Sequence, residues 1–301
     1  MIQEFHGLGV AMVTPFLPDG GVDHESLKRL TVHLIEGGVD YLVVLGTTGE
    51  TVTLSIAEQI DVITTVMDVN AGRLPIVLGA GGNNTDAVAT KMIAFAEQFQ
   101  PNAFLSASPA YNRPTQAGIV AHYQALSKVT DVPIILYNVP GRTASNLLSG
   151  TTLKIARTCP TAIGIKEASG NLEQCMEITA GRPEGFFLIS GDDLLTLPLL
   201  AAGFDGLISV IANALPEETA QLVRAGRAGD LTTLRTLHYR LMPLVQAIFA
   251  EGNPAGVKTV LDILGICRPG VRLPLLPASD ALRERIKELL LVLKSVPDPA
   301  S

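Results

Sequence analysis

Apolar runs rich in β-branched residues recur along this chain, and each is followed by a turn and by a segment whose apolar positions have helical spacing. This alternation is typical of a parallel sheet whose strands are connected by helices. Eight runs predict strands, beginning at Val10, Tyr41, Pro75, Ala103, Pro133, Ala162, Phe186 and Gly206. Because they lie roughly 20 to 35 residues apart, as the units of a closed barrel do, the pattern predicts an α/β protein with a (β/α)8 TIM barrel over residues 1–229.

Helix signals lie between these runs and continue beyond the last one. Ser55 and Glu58 have the spacing of a capping box. Four glycines fit helix-terminating positions: Gly72, Gly181, Gly203 and Gly226. After Gly229 the pattern predicts no strand but three helices, Asp230 to Glu251, Pro254 to Leu264 and Ser279 to Val296. We therefore expect residues 230–301 to form a C-terminal helical domain, with an irregular connection from Arg268 to Pro277 and a frayed tail after Val296.

Composition and charge restrict the possible partners of this chain. Of its 301 residues 47% are hydrophobic and 17% charged, which predicts a globular protein with a large core. The net charge of −7 and the absence of a basic run argue against nucleic acid as a partner. The N-terminus lacks the pattern of a secretion signal, and no apolar stretch has the length of a membrane span, so we expect a cytoplasmic protein with no membrane partner.

One lysine differs from the others in its predicted position. Seven lysines lie in segments with helical patterns, whereas Lys166 lies in the sixth strand, on the face that it shares with Gly164 and opposite to Ile163 and Ile165. The absent side chain of Gly164 leaves room for a long amine, which burial would make partly neutral. A neutral amine attacks a ketone to form an imine, as in class I aldolases. The alternative is a structural salt bridge from Lys166 to Glu167 or Asp192.

Further polar residues follow the carboxyl ends of the predicted strands, where the catalytic groups of a barrel lie. Tyr137 is a candidate proton carrier in a hydrogen-bonded chain with Thr47 and Tyr111, although a buried structural tyrosine remains possible. The hydroxyls of Thr47 and Thr48, before Gly49, suit a small carboxylate, but a simple turn has the same pattern.

The remaining polar candidates have several interpretations. Arg142 is a candidate clamp for a second carboxylate, or an ordinary surface arginine. Asp192 and Asp193 could bind a water molecule or cap the following helix, and we favour the helix cap. The five histidines are scattered, without a metal-binding pair, and the three cysteines lack CxxC spacing, so we expect neither a metal site nor a disulfide.

Taken together and in this order, six motifs are highly specific and resemble the dihydrodipicolinate synthase family, within the pyruvate-dependent class I aldolases that include N-acetylneuraminate lyase. They are GTTGE at 46–50, YNRP at 111–114, YNVPGRT at 137–143, GIKEASGN at 164–171, SGDD at 190–193 and GLISVIAN at 206–213. The resemblance covers nearly the whole chain. It implies the condensation of pyruvate with L-aspartate 4-semialdehyde, the first committed step of diaminopimelate and lysine biosynthesis, without a cofactor.

The resemblance also implies roles for single residues. Lys166 would form the Schiff base, and Tyr137, Thr47 and Tyr111 would relay protons. Thr47 and Thr48 would bind the pyruvate carboxylate, and Gly191 and Ile208 would line the pocket. Arg142 would hold the carboxylate of the aldehyde, a residue that the sialic acid lyases lack. The tyrosine that matches Tyr111 reaches across a tight dimer interface in this family. The usual assembly of the family is a dimer of dimers, so the resemblance implies a homotetramer.

One departure from the family concerns inhibition by lysine. Ala110 stands where inhibited members have a tyrosine, and Ile56, Gln59 and Ala87 replace the expected histidines and glutamate, so that only Asn83 remains. These replacements predict weak or absent inhibition. Two other functions stay open at this stage: a sibling aldolase or lyase that acts on a 2-keto-3-deoxy sugar acid, N-acetylneuraminate or a 4-hydroxy-2-oxo acid, and a catalytically silent barrel that binds a small metabolite.

Overall fold

The computed structural model describes residues 5–295, and its centre is a closed barrel of eight parallel strands in sequential order. The strands are β1 (Gly7–Ala11), β2 (Tyr41–Val44), β3 (Ile76–Gly79), β4 (Ala103–Ala107), β5 (Ile134–Asn138), β6 (Ala162–Glu167), β7 (Phe187–Ser190) and β8 (Gly206–Ser209). β1 pairs with both β2 and β8, so the sheet has no free edge. The structure confirms the predicted TIM barrel, and each strand begins within three residues of its predicted start.

Helices surround the barrel between the strands. They are α1 (His24–Glu36), α2 (Ile56–Asn70), α3 (Thr85–Phe99), α4 (Gln116–Leu126), the single turn α5 (Pro140–Thr143), α6 (Ser149–Thr158), α7 (Leu172–Gly181), α8 (Thr196–Ala201) and α9 (Pro216–Arg227). The Ser55 hydroxyl accepts from the Glu58 N–H while the Glu58 carboxylate accepts from the Ser55 N–H, which confirms the predicted capping box.

The C-terminal segment packs as three further helices, α10 (Leu231–Phe249), α11 (Ala255–Ile263) and α12 (Asp280–Ser295). The predicted helices agree with these bounds to within two residues where the chain is described, and the predicted end at Val296 and the frayed tail lie outside the described residues. Residues 268–277 are irregular, as expected. No helix in the part of the chain that the structure covers has both the length and the apolar character of a membrane span.

Two apolar clusters hold these layers together. The larger one lies between the outward faces of the strands and the helices and includes Ile165, whereas the smaller one fills the interior of the barrel with Phe5, Tyr41, Phe187 and their neighbours. Ile163 also packs against the interior cluster, although strand alternation predicted the opposite face. The reason is a register shift between Ile134 and Ile135 where β5 pairs with β6, which interrupts the alternation.

Two glycine predictions are wrong. Gly226 does not end a helix but lies in the last turn of α9, where a Cβ would lie 2.5 Å from Leu200 Cδ1, so this glycine allows close packing. Gly164 does not make room for Lys166, because a Cβ there would meet the ring of Phe187 at 2.5 Å. The structure therefore assigns the space beneath β6 to an aromatic ring of the barrel interior.

Candidate active site

Lys166 projects from β6 into the barrel and is 5% exposed. Its Nζ lies 4.5 Å from the centre of the Tyr137 ring. Burial lowers the pKa of the Lys166 ammonium to about 8; the charge of Asp193 opposes this effect and that of Arg142 reinforces it. An amine with a pKa near 8 has a substantial neutral fraction at physiological pH, which is the form that attacks a ketone.

The alternative of a structural salt bridge at Lys166 is wrong. Among residues 5–295 no carboxylate lies within ion-pair distance of its Nζ. Glu167 points to the other face of β6, where it accepts from the side-chain amides of Asn138 and Gln174 and from the Ser169 N–H. The Asp192 carboxylate accepts from the Leu194 N–H instead. The amine of Lys166 is therefore free for chemistry.

A second buried lysine shows what a structural role looks like in the same fold. Lys258 in α11 has a side chain that is 0% exposed, and its Nζ donates to Glu50 at 2.6 Å and to the Gly270 carbonyl at 2.8 Å. Burial lowers the pKa of Lys258, but the Glu50 charge and hydrogen bond oppose this and favour the ammonium. Lys258 was correctly predicted to be helical, but its burial gave no signal in the sequence.

Tyr137 lies beside Lys166 because the two residues are register partners on β5 and β6. Its side chain is 7% exposed, and burial raises the pKa of the phenol, against the opposing effects of the Arg142 charge and the Thr47 side chain. The phenol is therefore protonated at neutral pH and is able to donate a proton to a group bound at Lys166.

The segment that follows β2 folds into two short 3-10 helices, Thr47–Gly49 and Thr51–Thr53. The Thr51 hydroxyl donates to the Leu45 carbonyl at 2.7 Å, and the Thr14 hydroxyl donates to the Gly49 carbonyl at 2.7 Å, so both ends of the first helix are tied down. This arrangement holds the Thr47 and Thr48 side chains at the mouth of the barrel, where the sequence placed them.

Glu50 joins these two short helices in a left-handed conformation, with φ of 54°. Its side chain is buried, and besides Lys258 it accepts from the Arg272 N–H at 2.9 Å. The irregular segment 268–277 thus closes over the loop that carries the threonines. In the sequence Glu50 stands out only as part of the GTTGE motif, because its two partners lie more than 200 residues away.

A cavity of about 210 Å³ opens at this end of the barrel. Its wall consists of Ala11, Gly46, Thr47, Thr48, Leu105, Tyr137, Val139, Arg142, Lys166, Ala168, Gly191, Asp192, Leu194, Val210, Phe249 and Asn253. Six of the predicted site residues, Lys166, Tyr137, Thr47, Thr48, Arg142 and Gly191, therefore share one cavity. A neighbouring cavity of about 280 Å³ shares Thr47, Tyr137 and Arg142 with it and continues to Lys91.

Of the two predicted lining residues, Gly191 lies on the cavity wall and Ile208 does not. A Cβ at Gly191 would lie 3.0 Å from Lys166 Cε, so this glycine makes the room that had been assigned to Gly164. Ile208 is 1% exposed and packs in the interior cluster, while Val210 lies on the cavity wall.

The two aspartates after β7 have different roles. Asp192 caps the short helix Asp193–Leu195, as favoured from the sequence. Asp193 does not cap this helix, contrary to the expectation. It is buried and accepts from the Ser209 hydroxyl at 2.6 Å and from the Val210 N–H at 2.9 Å. It ties β7 to β8 and places a carboxylate whose charge reaches Lys166.

Tyr111 is the one predicted relay residue that the fold of a single chain does not bring to the cavity. Its side chain is 88% exposed and its backbone is left-handed, with φ of 65°. Ala110, its neighbour, lines the cavity that reaches Lys91. A chain of hydrogen bonds from Tyr111 to Tyr137 thus does not form within one subunit, and the role of Tyr111 stays a prediction.

Asn253 is a site residue that the sequence did not reveal. It lies between α10 and α11, and its Nδ2 donates to Thr48 Oγ1 at 2.9 Å. Nothing in the local pattern distinguishes an asparagine before a proline in a loop, so only the tertiary contact identifies it. Within residues 5–295 no group of three or more His, Cys, Asp or Glu side chains is arranged to hold a metal ion.

Comparison with known proteins agrees with this geometry. The sequence model of the Dihydrodipicolinate synthetase family matches residues 4–292. A 4-hydroxy-tetrahydrodipicolinate synthase of Flavobacterium psychrophilum is 48% identical, over 95% of this chain and 97% of the relative. The crystal structure of dihydrodipicolinate synthase from Thermotoga maritima superposes with a TM-score of 0.94 at 38% identity, over 97% of this chain and 100% of that one. A chloride-inhibited dihydrodipicolinate synthase from Acinetobacter baumannii, in complex with pyruvate, gives 0.93 at 36% identity, over 97% and 99%.

Proposed function

The chain belongs to the dihydrodipicolinate synthetase family, and from this premise we propose that it condenses pyruvate with L-aspartate 4-semialdehyde to give 4-hydroxy-tetrahydrodipicolinate. Its relatives are named 4-hydroxy-tetrahydrodipicolinate synthase, and this reaction makes the chain a lyase of the lysine and diaminopimelate pathway. The observation that carries the assignment is the buried Lys166 amine, which has no ion-pair partner among residues 5–295 and lies on the wall of a cavity of about 210 Å³. The chemistry requires no cofactor, since the imine itself withdraws the electrons.

Lys166 begins the proposed reaction as the neutral amine. Its Nζ attacks the keto carbon of pyruvate, and loss of water gives a cationic imine, which lowers the barrier to removal of a methyl proton. The enamine that results attacks the aldehyde carbon, whose oxygen takes up a proton and becomes a hydroxyl, so that the new C–C bond forms and the cationic imine on Lys166 returns. The amino group of the product then attacks the imine carbon, which closes the ring and releases Lys166.

Protons must move at each of these steps, and Tyr137 is the group placed to move them. Its ring lies 4.5 Å from Lys166 Nζ, and its pKa is raised by burial, so it is available as the protonated acid. Thr47 adjoins it on the cavity wall. We propose that Tyr111 of a second subunit completes this relay, since the Tyr111 side chain is 88% exposed in one chain.

Two cavity regions suit the two carboxylates of the substrates. The Thr47 and Thr48 side chains lie with Lys166 on the wall of the smaller cavity and suit the pyruvate carboxylate, with Gly191 as a further wall residue. Arg142 is exposed and lies on the walls of both cavities, where a guanidinium can hold the aldehyde carboxylate in bidentate fashion.

The assembly and location follow from the same proposal. We expect a homotetramer, built as a dimer of dimers, in the cytoplasm. Sedimentation velocity on the purified chain would measure the oligomer directly, and a monomer that is fully active would contradict the role of Tyr111.

Steady-state turnover of pyruvate with aspartate semialdehyde tests the reaction. Measured at a pH above the titration of Lys166, Arg142→Ala should raise the KM for the aldehyde by about tenfold or more, because it removes a charged hydrogen-bond partner, and should leave the KM for pyruvate nearly unchanged. A panel with 2-keto-3-deoxy sugar acids, N-acetylneuraminate and 4-hydroxy-2-oxo acids serves as the control. Faster turnover of any of these than of aspartate semialdehyde would reassign the substrate.

A further inference from the structure

The loop between α10 and α11 brings Asn253 from the C-terminal helical segment to the wall of the catalytic cavity. Its Nδ2 donates to Thr48 Oγ1 at 2.9 Å, across 205 residues of sequence. The Thr48 side chain is 4% exposed, and its hydroxyl has no other hydrogen-bond partner among the described residues. Asn253 therefore supplies the hydrogen bond that orients this hydroxyl.

A hydroxyl group has one proton and two lone pairs, and the hydrogen bond from Asn253 uses a lone pair. The proton of Thr48 is consequently left for an acceptor outside this pair. An ionised carboxylate only accepts hydrogen bonds and matches such a donor. We propose that Asn253 is a positioning residue that directs the Thr48 proton toward the carboxylate of the keto-acid substrate, an inference that rests on the proposed function.

The pattern of contacts at Asn253 supports this role over a structural one. A buried amide that stabilises a loop normally uses both its donor and its acceptor. Within residues 5–295 the Oδ1 atom is buried without a hydrogen-bond partner, and the Nδ2 group donates only to Thr48. The Asn253 amide thus makes its hydrogen bond to a side chain of the cavity wall.

A buried ion pair lies close to the contact between Asn253 and Thr48. Two residues after Thr48, the carboxylate of Glu50 binds Lys258 at 2.6 Å, and Lys258 lies in the first turns of the helix that follows Asn253. The buried ion pair therefore ties together the same two segments that the Asn253 contact joins. Because of this second tie, loss of the Asn253 side chain should change the direction of the Thr48 hydroxyl without releasing the loop.

Asn253→Ala is the first variant for testing the proposal, with pyruvate and aspartate semialdehyde as substrates. The KM for pyruvate should rise about tenfold, the loss expected for a hydrogen bond to a charged group. The kcat and the KM for the aldehyde should stay within about twofold, because a carboxylate contact acts equally in the ground state and the transition state. A loss of kcat at unchanged pyruvate KM would overturn the proposal.

A double-mutant cycle separates positioning from a general structural effect. Thr48→Val removes the hydroxyl, so Asn253→Ala should add no further increase in pyruvate KM in that background. Fully independent effects of the two substitutions would overturn the proposal. Thr48→Ser, which keeps the hydroxyl, should restore the response to Asn253→Ala.

Asn253→Asp is the near-isosteric second variant, for the case in which the alanine variant does not fold. The new carboxylate accepts from Thr48 and turns its proton away from the substrate, so the pyruvate KM should rise more than with alanine. The same substitution in the Thr48→Val background measures the effect of the added charge alone. An unchanged pyruvate KM would mean that Thr48 already donates to residue 253, and the proposal would fail. Borohydride trapping of pyruvate on wild-type Lys166 tests the proposed function separately.

Discussion

The Nζ of Lys166 lies 4.5 Å from the centre of the Tyr137 ring, and the two residues are register partners on neighbouring strands. Burial lowers the pKa of Lys166 and raises the pKa of Tyr137, because it favours the neutral form of both groups. The Lys166 amine as nucleophile and the Tyr137 phenol as proton donor thus lie next to each other in their reactive forms.

Replacing Lys166 should abolish adduct formation and stabilise the protein. The pKa of Lys166 is about 8 in the folded chain and 10.5 for an ordinary lysine, so the burial cost is fully present below pH 8 and disappears as the pH rises toward 10.5. Lys166→Met should therefore raise the free energy of unfolding at pH 7 by at most roughly 3 kcal/mol. Chemical denaturation and mass spectrometry after reductive trapping measure both effects; a pyruvyl adduct on the variant would contradict the assignment.

Lys258→Met is the matched control, and its effect on stability should have the opposite sign. Removing this amine leaves the Glu50 carboxylate buried, with the Arg272 N–H as its one remaining hydrogen-bond donor in the described part of the chain. Breaking one partner of a buried ion pair costs about 3 to 5 kcal/mol, so this variant should unfold at clearly lower denaturant concentration. Equal stability of the two variants would show that the Glu50 pair does not hold the loop.

The pH dependence of catalysis should report the pKa of Lys166. The ammonium cannot attack pyruvate, so kcat/KM for pyruvate should rise with pH and level off above a midpoint near 8. The charge of Arg142 lowers this pKa, and Arg142→Gln should therefore move the midpoint to higher pH. A midpoint that stays in place in the variant would mean that another group controls the acid limb.

Mixing two inactive variants should test whether Tyr111 acts across an interface. Tyr111→Phe and Lys166→Met should each lose most activity, but they carry their defects in different parts of a shared site. After mixing with exchange of subunits, about a quarter of the sites should be complete if subunits pair at random in twofold dimers. Activity that does not recover, with hybrid oligomers confirmed by native mass spectrometry, would place Tyr111 outside the relay.

Lysine should inhibit turnover weakly or not at all. Ala110 and Lys91 both lie on the wall of the cavity of about 280 Å³. Burial lowers the pKa of Lys91 to about 8, so most of its amine is still charged at neutral pH. A cation at this wall repels the ammonium groups of lysine. Turnover measured across millimolar lysine, with Lys91→Ala as a companion variant, checks this expectation, and strong inhibition of the wild type would refute it.

Local pattern was sufficient for the elements of this fold. The alternation of apolar runs and helical segments predicted the eight strands and the three C-terminal helices, because periodicity records which face of each element is buried. It was also sufficient to bring Lys166, Tyr137 and Thr47 to one mouth, since every parallel strand of a barrel ends on the same side. Gly226 was misread because a glycine that ends a helix and one that lets two helices approach look alike in sequence.

The sequence by itself thus determined the barrel, the position of the strand lysine and the hydroxyls near it. The tertiary structure decided which lysine is available, since Lys166 and Lys258 are both buried but Lys258 binds the distant residues Glu50 and Gly270. It also decided that Gly191 rather than Gly164 makes room for the amine, and that Asn253 reaches Thr48. The physical reason is that burial and hydrogen bonding depend on neighbours in space, whereas a sequence pattern reports only on neighbours along the chain.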